Sequence, residues 1–201
     1  MLKNRVKRKI GIAAVSATAL LFPVFTSGVA TGHGFTQSPS SRQDACSTGK
    51  ATNCGAIQWE PQSVEGPKGF PEAGPVDGKI CSAQKDSFKE LDDPRGGQWP
   101  ATEVKAGQDF TFQWKITARH STTSWRYFVT KDGWDPTKPL TRDQLEPAPF
   151  INVDYGGQQP PNTYTHTGKL PNKHGRHMIL AVWDIADTAN AFYSCSDVNF
   201  S

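Results

Sequence analysis

Phe110-Thr111-Phe112-Gln113-Trp114-Lys115-Ile116-Thr117 is the stretch that decides the fold. Apolar and polar side chains alternate over eight residues. Successive side chains of a strand point to opposite faces, so this is a strand with one face buried and one face wet. Residues 125–130, with Trp125, Tyr127, Phe128, Val129 and Thr130, read as its partner, because aromatic and β-branched side chains favour strands. Residues 178–183 are apolar at both alternations and predict a central strand. Residues 191–200 predict a last strand carrying Cys195, and 35–37 a short first one. Residues 150–153 and 163–167 are weaker strands between Pro- and Gly-rich stretches. Strands joined by loops, without heptads or repeats, predict an all-β chain folded as a small antiparallel β-sandwich.

Between the first strand and Phe110 lie about seventy residues without strand periodicity, broken by Pro61, Pro67, Pro71, Pro75, Pro94 and Pro100. A loop region of that length in a small domain is usually functional. Residues 82–91 are expected to form a short helix inside it.

The chain has 201 residues, and five of its 22 basic residues fall among the first nine positions. An apolar run, about 10–24, follows them, and then small residues up to Gly32. This is the layout of a secretory signal peptide with Ala30 and Gly32 at −3 and −1. The run is short for a membrane span and is interrupted by Pro23, which disfavours an anchor. The expected division is therefore a leader over 1–32 and a single domain over 33–201, secreted and free of the membrane after cleavage. Losing five cations turns the formal charge of +3 into −2. No basic stripe and no phosphate loop remain, so no nucleic-acid partner is expected.

Four cysteines, Cys46, Cys54, Cys81 and Cys195, follow the leader, and an even number in an exported chain reads as two disulfides. Three pairings are open. Cys46–Cys54 is the local choice, which leaves Cys81–Cys195 to tie the middle of the chain to its end. A zinc reading lacks the usual close spacing of ligands.

Cleavage after Gly32 gives His33 a free α-amine beside its imidazole. The amine has an ordinary pKa near 8 and loses its proton readily to a metal. Amine and ring nitrogen close a chelate on one ion, and a second histidine completes a three-nitrogen set that suits Cu(II). His120, His166, His174 and His177 are the candidates. His120 follows the end of the strongest strand, held by the sheet and yet open to solvent. The other three read as solvated surface histidines.

At these residues the chain resembles the bacterial lytic polysaccharide monooxygenases of the chitin-binding-protein type, auxiliary activity family ten. The matching runs are His33-Gly34-Phe35, Cys54-Gly55, Glu60-Pro61-Gln62-Ser63-Val64-Glu65-Gly66, residues 117–127 and residues 180–193. The resemblance implies a fibronectin-III- or immunoglobulin-like sandwich whose long loop region, with short helices, builds a flat binding face. It implies one copper ion per chain, held by His33 and His120. Phe192 is then axial to the metal, Ala118 crowds the other side, and Glu65 stands close by. Trp59, Glu60, Asp187 and Asn190 are implied contacts to an insoluble polysaccharide, chitin. Trp183 is expected beside the brace, chiefly as a core residue.

The reaction implied is oxidative cleavage of crystalline chitin at the anomeric carbon, with an external reductant and either oxygen or hydrogen peroxide, by a monomer. Two other readings stand beside it, and a third, glycoside hydrolysis, gives way to the resemblance. A noncatalytic chitin-binding protein that assists chitinases would bind without oxidising. An extracytoplasmic copper carrier would have no use for Trp59 or the Glu60–Gly66 run. A glycosidase would need two carboxylates at a set separation, a role in which Glu60 and Glu65 are the available pair.

Overall fold

The computed structural model describes residues 32–201. The expected leader lies outside the described residues, Gly32 excepted. In chain order the strands are β1 (His33–Ser38), β2 (Glu65–Pro67), β3 (Thr102–Val104), β4 (Asp109–Ala118), β5 (Thr122–Val129), β6 (Ile151–Asp154), β7 (Thr163–Lys169), β8 (Gly175–Ile185) and β9 (Asn190–Phe200). They form two sheets. One runs β1-β4-β7 and the other β2-β9-β8-β5-β6, with β3 lying parallel to the far end of β9. The remaining pairings are antiparallel, so the chain is the expected β-sandwich.

The alternation in β4 has its physical counterpart. Phe112, Trp114 and Ile116 are buried between the sheets, while Thr111, Lys115 and Thr117 face solvent. β8 and β9 are buried on both faces because each face meets a different layer. Ile179, Ala181, Trp183 and Ile185 point into the core between the sheets. Met178, Leu180 and Val182 point the other way, into a second core completed by Phe70, Ile80, Phe88 and Leu91 from the long loop region. The indole of Trp125 stacks between Trp183, at 5.0 Å, and Tyr164, at 4.6 Å. Full burial of each such ring stabilises the fold by roughly 1.5–3 kcal/mol.

The loop region is thus a third layer clamped on the sandwich. Its helix α1 (Arg42–Ser47) starts where the Ser41 side chain accepts the Asp44 amide, an ordinary N-cap. Arg42 is buried and donates to Asp197 of β9 at 2.8 Å and to the Leu91 carbonyl at 2.7 Å. The disulfides join Cys46 to Cys54 within the layer and Cys81 to Cys195 of β9. The second spans 114 residues, for which loop-closure entropy predicts a gain of about 4–5 kcal/mol. The helix expected over 82–91 is instead a 3₁₀ segment, Asp86–Leu91. Phe88 and Leu91 are both buried there, three residues apart, the spacing that a 3₁₀ turn brings to one side.

Two histidine expectations also need correction. His177 is buried in β8, its Nδ1 against the Thr130 hydroxyl at 3.0 Å. His166 of β7 stacks on Phe112 at 5.5 Å. Neither is solvated, because each sits at an inward register position of its strand. His174 is exposed, as expected.

Candidate functional site

The site gathers where β1 begins, β4 turns into β5 and β8 turns into β9. His33 opens β1 opposite Ala118, with an irregularity in register before Gly34. Gly34 permits this approach: a Cβ there would lie 2.8 Å from Ile116 Cδ1 and 3.1 Å from Trp183 Cζ3. A side chain there would force Ile116 or the β1 backbone to shift. The Gly34 amide donates to the Gln62 carbonyl at 3.1 Å, which brings the Glu60–Glu65 loop against the start of β1.

His120 lies in the β4–β5 turn, and its backbone is anchored from below. The buried Trp183 indole donates to Thr122 Oγ1 at 2.8 Å, and that hydroxyl donates to the His120 carbonyl at 3.0 Å. The His120 side chain meets Asp187, with Nδ1 and Oδ1 2.8 Å apart. The carboxylate stands off the N–H axis, so Nδ1 has no aligned hydrogen bond and the contact is electrostatic. With Nδ1 turned to Asp187, Nε2 is the nitrogen left for a metal. A carboxylate behind a ligating imidazole helps to hold the ring's orientation.

Phe192 of β9 is fully buried, 6.4 Å from the His33 ring and 5.0 Å from Trp183. It pairs in register with Glu65 of β2. Glu65 Oε1 accepts a hydrogen bond from the Asn190 amide at 2.8 Å, so these two expected site residues meet each other. Trp59 and Glu60 follow the 3₁₀ turn Gly55–Gln58. Trp59 is 79% exposed, and Glu60 is exposed beside it. A large apolar ring thus stands in water beside a carboxylate.

Gly32 tests whether a metal fits. A Cβ on it would stand 3.2 Å from both His120 Cβ and Phe192 Cε2. The residue ahead of His33 therefore fills the space between His120 and Phe192. Without that residue the space opens beside a new α-amine and between two imidazoles. Among the described residues no group of three His, Cys, Asp or Glu side chains forms a metal cluster. An ion at this rim would have two imidazoles, and the amine would be its third nitrogen. That donor set fits copper.

A cavity of about 490 Å³ lies elsewhere, at the start of β8, among Asp132, Trp134, Lys173, Arg176 and His177. None of the residues above lines it, and its charges are spent on each other. Lys173 bonds Asp132 at 3.1 Å and Glu146 at 2.7 Å, and Arg176 bonds Asp197 at 3.0 Å. Sequence reasoning assigned no part to Thr122 or Lys68, both of which brace the site through backbone carbonyls. No motif marks such contacts.

Comparisons with known proteins give the family. Residues 33–198 match the family model described as lytic polysaccharide mono-oxygenase, cellulose-degrading. A solved family-ten lytic polysaccharide monooxygenase from Streptomyces lividans is 56% identical, with a TM-score of 0.82 over 84% of this chain and all of that one. A Bacillus amyloliquefaciens structure described as a complex with Cu(I) is 40% identical, with a TM-score of 0.76 over 84% of this chain and all of that one. The GlcNAc-binding protein A of Shewanella oneidensis is 49% identical over 87% of this chain but only 37% of its own length. This chain thus spans little more than a third of that relative. With a family model matched over nearly all the described residues, the chain belongs to the lytic polysaccharide monooxygenases of auxiliary activity family ten.

Proposed function

We propose that this chain is a secreted, copper-dependent monooxygenase that cleaves crystalline chitin by oxidation at the anomeric carbon. Residues 1–32 are its leader, and 33–201 are its one copper- and chitin-binding domain. The carrying observation is the space between His120 and Phe192 that the residue before His33 fills. Cleavage there would create the amine and clear the seat together.

Copper in that seat would supply, with an external reductant, the activation of oxygen or hydrogen peroxide that attack on a sugar C–H bond requires. The protein's part is geometric. His33 and His120 would hold the ion. Phe192, fully buried beside His33, cannot ligate and would keep water out of that part of the seat, and Ala118, paired with His33, would limit the room beside it. Glu65, fixed by Asn190, presents a carboxylate at the edge of the seat for orienting a small polar co-substrate. Asp187 steadies the His120 ring. Trp59 offers its face to a sugar ring, with Glu60 as polar neighbour. A flat end suits a crystalline surface better than a groove would.

Chitin as substrate draws on the relatives named for GlcNAc binding, while the matched family model is described as cellulose-degrading. The test therefore uses both polymers. Copper-loaded protein beginning at His33 is incubated with ascorbate and β-chitin or cellulose, and the soluble products are weighed by mass spectrometry. Aldonic-acid oligosaccharides from chitin are expected, and none from His120→Ala or from protein that retains Gly32. Normal oxidation by the extended protein would overturn the reading. The name of the relative also favours a noncatalytic binding protein, which predicts tight chitin binding with no oxidised product.

A further inference from the structure

The turn between β8 and β9 carries two of the expected site residues, yet the two strands pair with each other only as far as Asp184–Ala191, with Ile185 paired to Thr122 of β5 and Asn190 to Pro67 of β2. Beyond that pair the turn reaches out to three places. Asp187 meets His120 at 2.8 Å, Asn190 meets Glu65 at 2.8 Å, and the Ala186 amide donates to the Ser121 carbonyl at 2.8 Å. Such a turn has few apolar contacts of its own, because Ala186, Asp187 and Ala189 are exposed. Something else must fix its shape.

Lys68 does so. Its ammonium donates to the Thr188 carbonyl at 2.7 Å and to the Ile185 carbonyl, while its backbone amide donates to the Ala189 carbonyl at 2.9 Å. Three carbonyls of one turn are thus taken by one residue. Among the described residues Lys68 forms no ion pair, so its charge is given to these dipoles. Lys68 also follows directly on β2, whose Glu65 receives Asn190. The same short segment therefore grips the turn at two points, and the turn's Asp187 touches His120 at a third.

We propose that Lys68 is a positioning residue for this face: it sets the 185–190 turn so that Asp187 stands behind the His120 ring and Asn190 holds Glu65. In its consequence for the metal, this rests on the copper reading above. An ammonium suits the task because its three donors spread tetrahedrally to separate carbonyls, and charge-assisted bonds are about twice as strong as neutral ones. A guanidinium carries the same charge on a planar fork and can reach two carbonyls with poorer aim.

The experiment compares metal-free protein beginning at His33 with its Lys68→Met, Lys68→Gln and Lys68→Arg variants. Amide exchange at 186–190 is expected to quicken roughly tenfold or more in the Met and Gln variants, with β4 and the middle of β8 unchanged. The His120 ring ¹⁵N signals should shift in the same two variants. Lys68→Arg should recover most of both. Copper-loaded protein should lose kcat on chitin in step with the ring signal, with KM changed little. Unchanged turn exchange and ring signals in Lys68→Met would overturn the proposal. So would a uniform quickening across the sandwich, which marks a merely structural lysine. Should Lys68→Met fail to fold, Lys68→Gln decides by the same two readouts. If wild-type protein binds no copper, the functional reading falls, while the metal-free data still judge Lys68.

Discussion

The two ends of β8 treat their polar groups in opposite ways. At its start, Arg176 donates to Asp197 and the Trp99 carbonyl, Lys173 is shared by Asp132 and Glu146, and His177 is held by Thr130. Each charged group there has an ionic partner, although Arg176 Nε and Trp134 Nε1 make no hydrogen bond and that end holds the 490 Å³ cavity. At its finish the polar groups are open: Asp187 and Glu60 are exposed, and Trp59 stands in water. Closed networks stabilise, whereas open groups are available to a substrate or an ion. If the partner is the face of a crystal, as proposed above, the exposed rim and not the hollow is where function lies.

The largest effect should come from breaking the closed end. Asp197 is 1% exposed and lies between Arg42 and Arg176. Asp197→Ala leaves two guanidiniums without their carboxylate, which costs about 3–5 kcal/mol. Urea unfolding should show that loss, while copper affinity stays near wild type. Equal damage to copper binding would mean that the two ends are one unit. A smaller effect belongs to Trp183→Phe, which removes the indole donor that anchors His120 through Thr122. A loss of about 1–3 kcal/mol is expected. Calorimetry should also find copper held several-fold more weakly, the reverse of the Asp197 pattern. Smaller again is Trp59→Ala. With 79% of the side chain exposed, stability should not move. Loss of one stacked ring should weaken chitin binding by about 1 kcal/mol, roughly fivefold, in a depletion assay.

Legibility in the sequence followed the same division. β4 could be read because one of its faces is wet, and β8 because both are dry. β2 and β3 could not, since three residues carry no period and one of those in β2 is Pro67. The long loop could be recognised as functional, but its role as a packed third layer could not, because Phe70, Ile80, Phe88 and Leu91 are scattered among prolines. At the site, His33 and His120 are legible from the leader and the strand exit, and Phe192, Glu65 and Asn190 only through the resemblance; the fold sets Phe192 beside His33 and opposite Glu65, which Asn190 holds. Lys68 was invisible. Its partners are carbonyls 117 and 120 residues away, and a carbonyl has no letter in the sequence. His166 was misread for a related reason. In β7, Thr163, Thr165 and Thr167 face out while Tyr164 and His166 face in, and a histidine counted as polar hides the inward face.

His166 also gives the smallest test of the comparison, because it is an imidazole spent as core. Its ring packs on Phe112, Tyr127 and Tyr164, and neither nitrogen has a partner. Burial lowers its pKa from the ordinary 6.5 to about 4. The sign follows from the direction of that shift. Between these two values the unfolded chain takes a proton that the folded chain refuses, so acid favours unfolding. The stability contributed by neutral His166 is complete above about pH 6.5 and falls away as pH drops toward about 4. His166→Phe keeps the ring and removes the titration. Urea midpoints at pH 7.5 and pH 4.5 should therefore fall further for wild type than for the variant, with His177 and the carboxylates common to both. Equal falls would mean that His166 takes up its proton within the fold, and that this core imidazole is as open to solvent as the one at the rim.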